Sequence, residues 1–255
     1  EVAVQMTYCN METEQIRRFR REYQMDSLSE WFQGLLDAYY KWADYQARWQ
    51  ERRNASMQGL EFPFPYRPGQ RDIVRGVYHA AAAKKQLFVQ APTGVGKTMS
   101  ALFPAVRAIG EGLGEKVFYL TAKTVTRTVA EEAVSLLRQR GLLFQALTLT
   151  AREKICPMER TACNPEECPR AKGHFDRVND AVYELWTSEG TLNRAAVQRQ
   201  AEKWQVCPYE MSLDLAVWVD GVICDYNYVF DPNAHLRRFF GENVKGDYIF
   251  LIDEA

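Results

Sequence analysis

Residues 91–98 read APTGVGKT, and the chain closes on FLIDEA. Between them Cys156, Cys163 and Cys168 crowd into a charged, proline-rich run, and Cys207 follows after 38 intervening residues. Each group has residue types and spacing that can do chemistry. In the first, Gly94 and Gly96 let main-chain N–H groups turn inward around an oxyanion, and the helix opening behind them adds its positive end. Ala91, Pro92, Thr93 and Val95 complete that turn. Lys97 can reach the β- and γ-phosphates of a nucleotide such as ATP, and the Thr98 hydroxyl can ligate Mg²⁺. In the second group, Asp253 and Glu254 emerge from an apolar run. A carboxylate at the C-terminal end of such a strand lies beside the phosphate loop in a doubly wound sheet. Asp253 would hold Mg²⁺, commonly through water, and Glu254 would orient or deprotonate the attacking water.

The third group is less specific. Six cysteines in 255 residues without an export signal read as thiols in a reducing compartment: free, catalytic or metal-bound. Zinc, with His174 as a further ligand, is one candidate, although structural zinc sites prefer tighter cysteine pairs than the C-x6-C-x4-C-x38-C spacing here. Inert thiols are another. Cys9 and Cys224 sit in apolar strand-like runs and read as buried bystanders.

These groups need elements to position them. Apolar runs at 87–91, 116–121, 145–150, 219–224 and 248–253 read as buried strands, with helical patterns near 70–84, 97–110 and 126–139 between the first of them. Strand–helix alternation predicts a parallel sheet covered on both faces, an α/β fold. Helical patterns near 175–187 and 192–205 follow the cysteine run, in a segment whose own apolar core looks thin. Upstream, VAVQMTY suits a half-buried strand, Asn10 a cap for a following helix, and Ser27 with Glu30 a capping box for another. The aromatic stripe of that helix, Trp31, Phe32, Tyr39, Trp42 and Trp49, reads as packing. The segment GLEFPFPYRPGQ then breaks the helix and marks a domain boundary.

Composition sets the outer limits. The chain is 47% hydrophobic and 25% charged, with a net charge of −1, so no global basic field advertises nucleic acid. No apolar run reaches membrane-spanning length, and a cytoplasmic protein is expected. The chain opens at Glu1 without a methionine and stops abruptly, as expected of a piece of a longer protein.

The motifs together resemble a known family. APTGVGKT resembles helicase motif I in its A-x-T-G-x-G-K-T form, and the terminal DEA resembles a DEAH box cut before its histidine. FPYRPGQRDIV resembles the Q-motif-like element upstream of motif I, YLTAKTVT is similar to motif Ia, and DYNYVFDP is similar to the run preceding the DEAH box. The set resembles the XPD/DinG-like iron–sulfur DNA helicases of superfamily 2 over residues 62–255. The resemblance implies a RecA-like P-loop motor domain in two parts, 62–151 and 209–255, interrupted by an iron–sulfur insertion at 152–208. It implies that Cys156, Cys163, Cys168 and Cys207 ligate a 4Fe–4S cluster, thiolates being the soft ligands such a centre takes. It implies that Gln70 reads the adenine edge, with Arg67 and Tyr66 supporting the base. It also implies that Thr121, Lys123 and Thr124 touch the backbone of single-stranded DNA.

Tyr226 and Tyr228 could stack on bases or simply end a strand. Single-stranded or forked DNA would be the substrate, with 5′→3′ movement, a monomeric protein, and a second RecA-like domain completing the ATP cleft. Without that domain the 255 residues should hydrolyse almost no ATP. Residues 1–61 are similar to the tail of a PD-(D/E)XK nuclease domain found ahead of some bacterial DinG-like helicases, but lack its paired carboxylates and lysine. The competing function is a P-loop nucleotide switch or ATPase with a structural zinc site and no unwinding.

Overall fold

The computed structural model describes residues 1–92 and 94–253. Two compact units form, Glu1–Arg48 and Trp49–Ala255. In the first, β1 (Val2–Cys9) and β2 (Ile16–Tyr23) pair antiparallel, Val2 opposite Tyr23 and Cys9 opposite Ile16. The helix expected after Asn10 is therefore a hairpin. Asn10 caps a turn instead, its side-chain oxygen accepting the N–H groups of Glu12 (2.9 Å) and Thr13 (3.0 Å), as asparagine does where it closes a chain reversal. Cys9, expected to be buried, is exposed.

Helix α1 (Met25–Gln58) starts ahead of the Ser27–Glu30 pair and runs unbroken for 34 residues. Its stripe divides. Trp31, Phe32 and Tyr39 are exposed rather than packed, whereas Trp49, in the second unit, is buried.

The second unit continues with α2 (Gln70–Ala82), α3 (Lys97–Gly110), β3 (Lys116–Leu120), α4 (Thr124–Gln139), β4 (Ala146–Thr148) and the short α5 (Arg152–Ile155). Helices α6 (His174–Thr187), α7 (Arg194–Trp204) and α8 (Pro208–Trp218) follow, then β5 (Gly221–Cys224), the single turns α9 (Asn227–Phe230) and α10 (Arg237–Phe240), and β6 (Tyr248–Ile252). The strands form one parallel sheet in the order β4-β5-β3-β6. Alternation along β3 sorts its side chains. Val117 and Tyr119 face α3 and α4, in a core with Leu102, Val106, Ala130, Val134, Ile223 and Leu251. Phe118 faces the other way, ringed by Phe239, Phe240, Tyr248 and Phe250.

The run 87–91, expected as a buried strand, joins no ladder among the described residues, and Phe88 is 90% exposed. The Ala91 carbonyl accepts a hydrogen bond from Lys97 Nζ at 3.0 Å. The segment between α5 and β5 also departs from expectation. Its core is not thin: Val178, Ala181, Val182, Leu185, Trp186, Val197, Met211 and Leu215 are buried between α6, α7 and α8. Among the described residues no helix is long and apolar enough to cross a membrane.

A buried charged cluster occupies the end of the sheet where β3 and β5 begin. Asp220, fully buried, accepts from the Trp49 indole N–H, the Gln145 N–H (2.8 Å) and the Arg53 guanidinium. Nearby, Lys116 Nζ donates to the carbonyls of Ala216 (2.9 Å), Val217 (3.3 Å) and Val219, where α8 ends. An ammonium there satisfies carbonyls that lack intrahelical partners. Burial nevertheless pulls the Lys116 pKa down to about 7, with the Asp220 carboxylate working against the shift and Arg53 with it.

The sign follows from proton binding. Above about pH 7 the folded chain sheds this proton while the unfolded chain keeps it to about 10.5, so raising pH through this window favours folding. The opposing effect of Cys224, whose thiol burial pushes up to about 12, begins near its ordinary pKa of 9.0. Unfolding free energies from urea titrations between pH 7 and 8.5 are therefore expected to rise, at up to ~1.4 kcal/mol per pH unit. Lys116→Met should flatten the rise; an unchanged slope in that variant would refute the assignment.

Candidate functional site

The first group of functional residues gathers where β3 and β6 end. Gly94 (φ +84°) and Gly96 (φ +81°) both take the left-handed conformation that a side chain disfavours, and α3 starts at Lys97 directly behind them. Thr93 lies outside the described residues. Arg67 and Gln70 fix the loop from outside. The Arg67 guanidinium donates to the Gly94 carbonyl, and the Gln70 side-chain amide donates to the Val95 carbonyl. Gln70 Oε1 in turn accepts the Arg67 N–H at 2.8 Å.

A trans peptide sets its N–H opposite its C=O. Anchoring these two carbonyls therefore turns the N–H groups of Val95 and Gly96 away from Arg67 and Gln70. Gln70 is only 4% exposed, so in this state its amide serves the loop. Tyr66 lies just outside this pair, stacked on Phe62 at 4.4 Å, with the Arg71 guanidinium 5.2 Å from its ring centroid.

Asp253 follows β6. Its N–H continues the ladder to the Leu120 carbonyl at 3.0 Å, which places its side chain on the same face as Leu251, toward the start of α3. There its Oδ2 accepts the Tyr119 hydroxyl at 2.8 Å, and the same hydroxyl lies 3.4 Å from Thr98 Oγ1. Burial raises the Tyr119 pKa strongly; contact with Thr98 opposes this and the hydrogen bond to Asp253 adds to it. The sequence-predicted pair Thr98 and Asp253 thus meets through a tyrosine that sequence reasoning passed over. Glu254 lies outside the described residues.

Beyond β3, Thr121 is 1% exposed and its hydroxyl pairs with that of Thr126, while Lys123 and Thr124 are exposed at the N-terminus of α4. Tyr226 donates its hydroxyl to the Asp253 carbonyl. Tyr228 is buried, and burial raises its pKa.

The cysteines frame a second locus. Cys156 leaves α5, and Cys207 sits at the N-cap of α8. Burial raises the Cys207 thiol pKa; the N–H groups of Glu210 and Tyr209 oppose this, and the nearby Glu210 and Cys156 add to it. The Cys207 N–H donates to His174 Nδ1 at 3.3 Å. Cys163 lies near the Arg152 guanidinium, and Cys168 is buried in a turn closed on the Asn164 carbonyl at 2.9 Å. The loop is tied down by two arginines. Arg170 donates to the Ala201 carbonyl (2.7 Å), and Arg177 to those of Trp204 (3.0 Å) and Gln205 (2.8 Å), where α7 ends. All four thiols are free, and among the described residues no three His, Cys, Asp or Glu side chains converge as a metal-binding group.

A left-handed glycine turn between the run 87–91 and α3, facing a carboxylate at the end of β6, defines a P-loop α/β domain of the RecA-like class. The DEAD/DEAH box helicase model matches residues 67–156 and the DEAD_2 model residues 126–255. The chain belongs to the DEAD_2 family. Regulator of telomere elongation helicase 1 from Bos taurus is 22% identical over 250 residues, covering 78% of this chain and 20% of that protein. The Gallus gallus Fanconi anemia group J protein homolog is 34% identical over 74 residues, covering 29% of this chain and 5% of that protein. This chain thus spans at most about a fifth of these relatives. A solved structure titled XPD_Helicase superposes with a TM-score of 0.50 at 16% identity, covering 74% of this chain and 32% of that one, and shares its fold.

Proposed function

We propose that this chain is the first motor domain of an ATP-dependent DNA helicase, with the motor in residues 62–151 and 209–255 and a 4Fe–4S insertion at 152–208. The observation that carries the reading is the meeting of Thr98 and Asp253 through Tyr119, beside the left-handed turn at Gly94 and Gly96. In a member of the DEAD_2 family that geometry fits a Mg²⁺–nucleotide site.

In this reading the N–H groups of Val95 and Gly96 hold the phosphates, and Lys97 exchanges the Ala91 carbonyl for β- and γ-oxygens. Thr98 and Asp253 would hold the cation, which when bound would supply positive charge beside the phosphates. Glu254 orients the attacking water. Gln70, Arg67 and Tyr66 border the base. Exposed Lys123 and Thr124 touch the DNA backbone, with Thr121 buttressing their turn. A second RecA-like domain completes the cleft, and closure across it moves the strand 5′→3′. By themselves the 255 residues turn over little ATP. A monomeric protein of the cytoplasm fits the same reading.

Cys156, Cys163, Cys168 and Cys207 would hold the cluster, which when bound cross-links the loop to α8. Cys156 ends α5 and Cys207 caps α8, close enough to influence one another; burial keeps the Cys207 thiol protonated against the pull of the helix-end N–H groups, and a bound sulfur-ligated centre would take it as thiolate. Cys163 and Cys168 must draw in toward that pair.

The test uses the natural full-length protein, purified without oxygen. It is expected to carry iron and sulfide, to hydrolyse ATP faster with single-stranded DNA, and to separate duplexes bearing a 5′ tail. Cys→Ser at any of the four positions should remove iron and sulfide yet leave far-UV helicity nearly intact, because α6, α7 and α8 have their own core. Colourless protein with one bound zinc and no strand separation would instead support the nucleotide switch.

A further inference from the structure

Tyr119 and Tyr226 are the two side chains whose hydroxyls reach Asp253 in the described structure. Tyr119 belongs to β3, its ring set in the core against α3 and α4 and only 3% of the residue exposed. One hydroxyl carries one proton. The carboxylate at 2.8 Å is a charged acceptor and outcompetes the neutral Thr98 oxygen at 3.4 Å for it. Thr98 Oγ1 stands at the longer distance from the same hydroxyl, beside the Asp253 carboxylate. The Tyr119 hydroxyl thereby holds Asp253 Oδ2 while standing next to Thr98 Oγ1, which brings the two oxygens together at the start of α3. Tyr226, arriving from the segment after β5, takes the Asp253 main-chain carbonyl. Side chain and backbone of the same residue are therefore held from two separate strands' ends.

We propose that Tyr119 and Tyr226 are positioning residues for the divalent cation, presetting the Thr98 hydroxyl and the Asp253 carboxylate as a two-oxygen site before nucleotide arrives. The inference rests on the nucleotide–cation reading of this site and adds to it the residues that arrange its oxygens. It also gives Tyr226 a task other than stacking on bases, because its hydroxyl is committed to Asp253. Both act through Asp253 and neither need touch the nucleotide.

The experiment measures how binding of a fluorescent, non-hydrolysable ATP analogue to the natural full-length protein depends on Mg²⁺ concentration. Losing a hydrogen bond to a charged group makes the Mg²⁺ needed by Tyr119→Phe for half-maximal binding rise about tenfold, while binding at saturating Mg²⁺ recovers. Tyr226→Phe, which releases only a neutral carbonyl, should shift it roughly threefold and keeps the proposal testable should Tyr119→Phe not fold.

Phe118→Leu is the control for a merely structural role. Phe118 is fully buried on the opposite face of β3, so this change should lower the melting temperature and leave the Mg²⁺ requirement alone. An unchanged or lowered Mg²⁺ requirement in folded Tyr119→Phe and in Tyr226→Phe overturns the proposal, as does an equal shift in Phe118→Leu. Wild-type protein that binds no analogue at any Mg²⁺ concentration overturns the nucleotide reading itself.

Discussion

Asp220→Ala is expected to destabilise the second unit by about 3–5 kcal/mol, because it strands a buried guanidinium. The carboxylate is fully buried and is the common acceptor for the Trp49 indole, the Gln145 N–H and Arg53, which is itself only 8% exposed. Removing it takes the shared acceptor from three donors and leaves the Arg53 charge, with only the neutral Asn54 Oδ1 still accepting from its Nε, in a medium that solvates it poorly. It also takes away the negative charge that most strongly opposes the depressed pKa of Lys116. Chemical denaturation of the 255-residue chain at pH 7 reads the effect as a lower midpoint.

A second variant separates this mechanism from simple loss of packing. Adding Arg53→Met to Asp220→Ala removes the stranded charge and should restore part of the loss. A drop below ~1 kcal/mol for Asp220→Ala, or no recovery in the pair, would mean that the guanidinium finds water or another acceptor. The cost is large beside the ~5–15 kcal/mol that holds a typical domain together.

This cluster was invisible in the sequence for a definite reason. Arg53 and Asp220 are 167 positions apart, and neither sits in a motif. Buried ion pairs carry no local periodicity, so nothing distinguishes Arg53 from the solvated arginines around it. The same holds for Tyr119, which reads as an ordinary apolar strand position until β6 places Asp253 beside it. What was legible is what local backbone chemistry dictates. APTGVGKT demands left-handed glycines and a helix behind them, and both are present. Helical spacing located α2, α3, α4, α6 and α7 to within a few residues. The errors are equally physical. In β2 the alternation is carried by arginines rather than by apolar residues, so IRRFRREY looks helical beside a capping asparagine. The run 87–91 is apolar enough for a strand, but apolarity alone supplies no neighbouring ladder.

The phosphate loop supports the second large effect, and two neighbouring variants give it content. Lys97→Ala is expected to lower DNA-stimulated ATP hydrolysis by the natural full-length protein by about 10²–10³-fold, the scale for deleting one charged or hydrogen-bonding group aimed at transition-state charge. Stability should change little, within about 0.5 kcal/mol, because among the described residues the Lys97 ammonium holds only the Ala91 carbonyl. Gly96→Ala reaches a similar loss by another route. Its φ of +81° strains an L-residue, and the added Cβ would stand 2.8 Å from Gln70 Nε2, so the amide must leave the Val95 carbonyl and the loop loses its outer anchor. That variant should lower both the melting temperature and nucleotide affinity, whereas Lys97→Ala lowers turnover in a protein that melts normally. If Lys97→Ala kept more than about a tenth of wild-type turnover, it would place the phosphate charge beyond this lysine's reach. The glycine turn would then be a chain reversal that happens to open a helix.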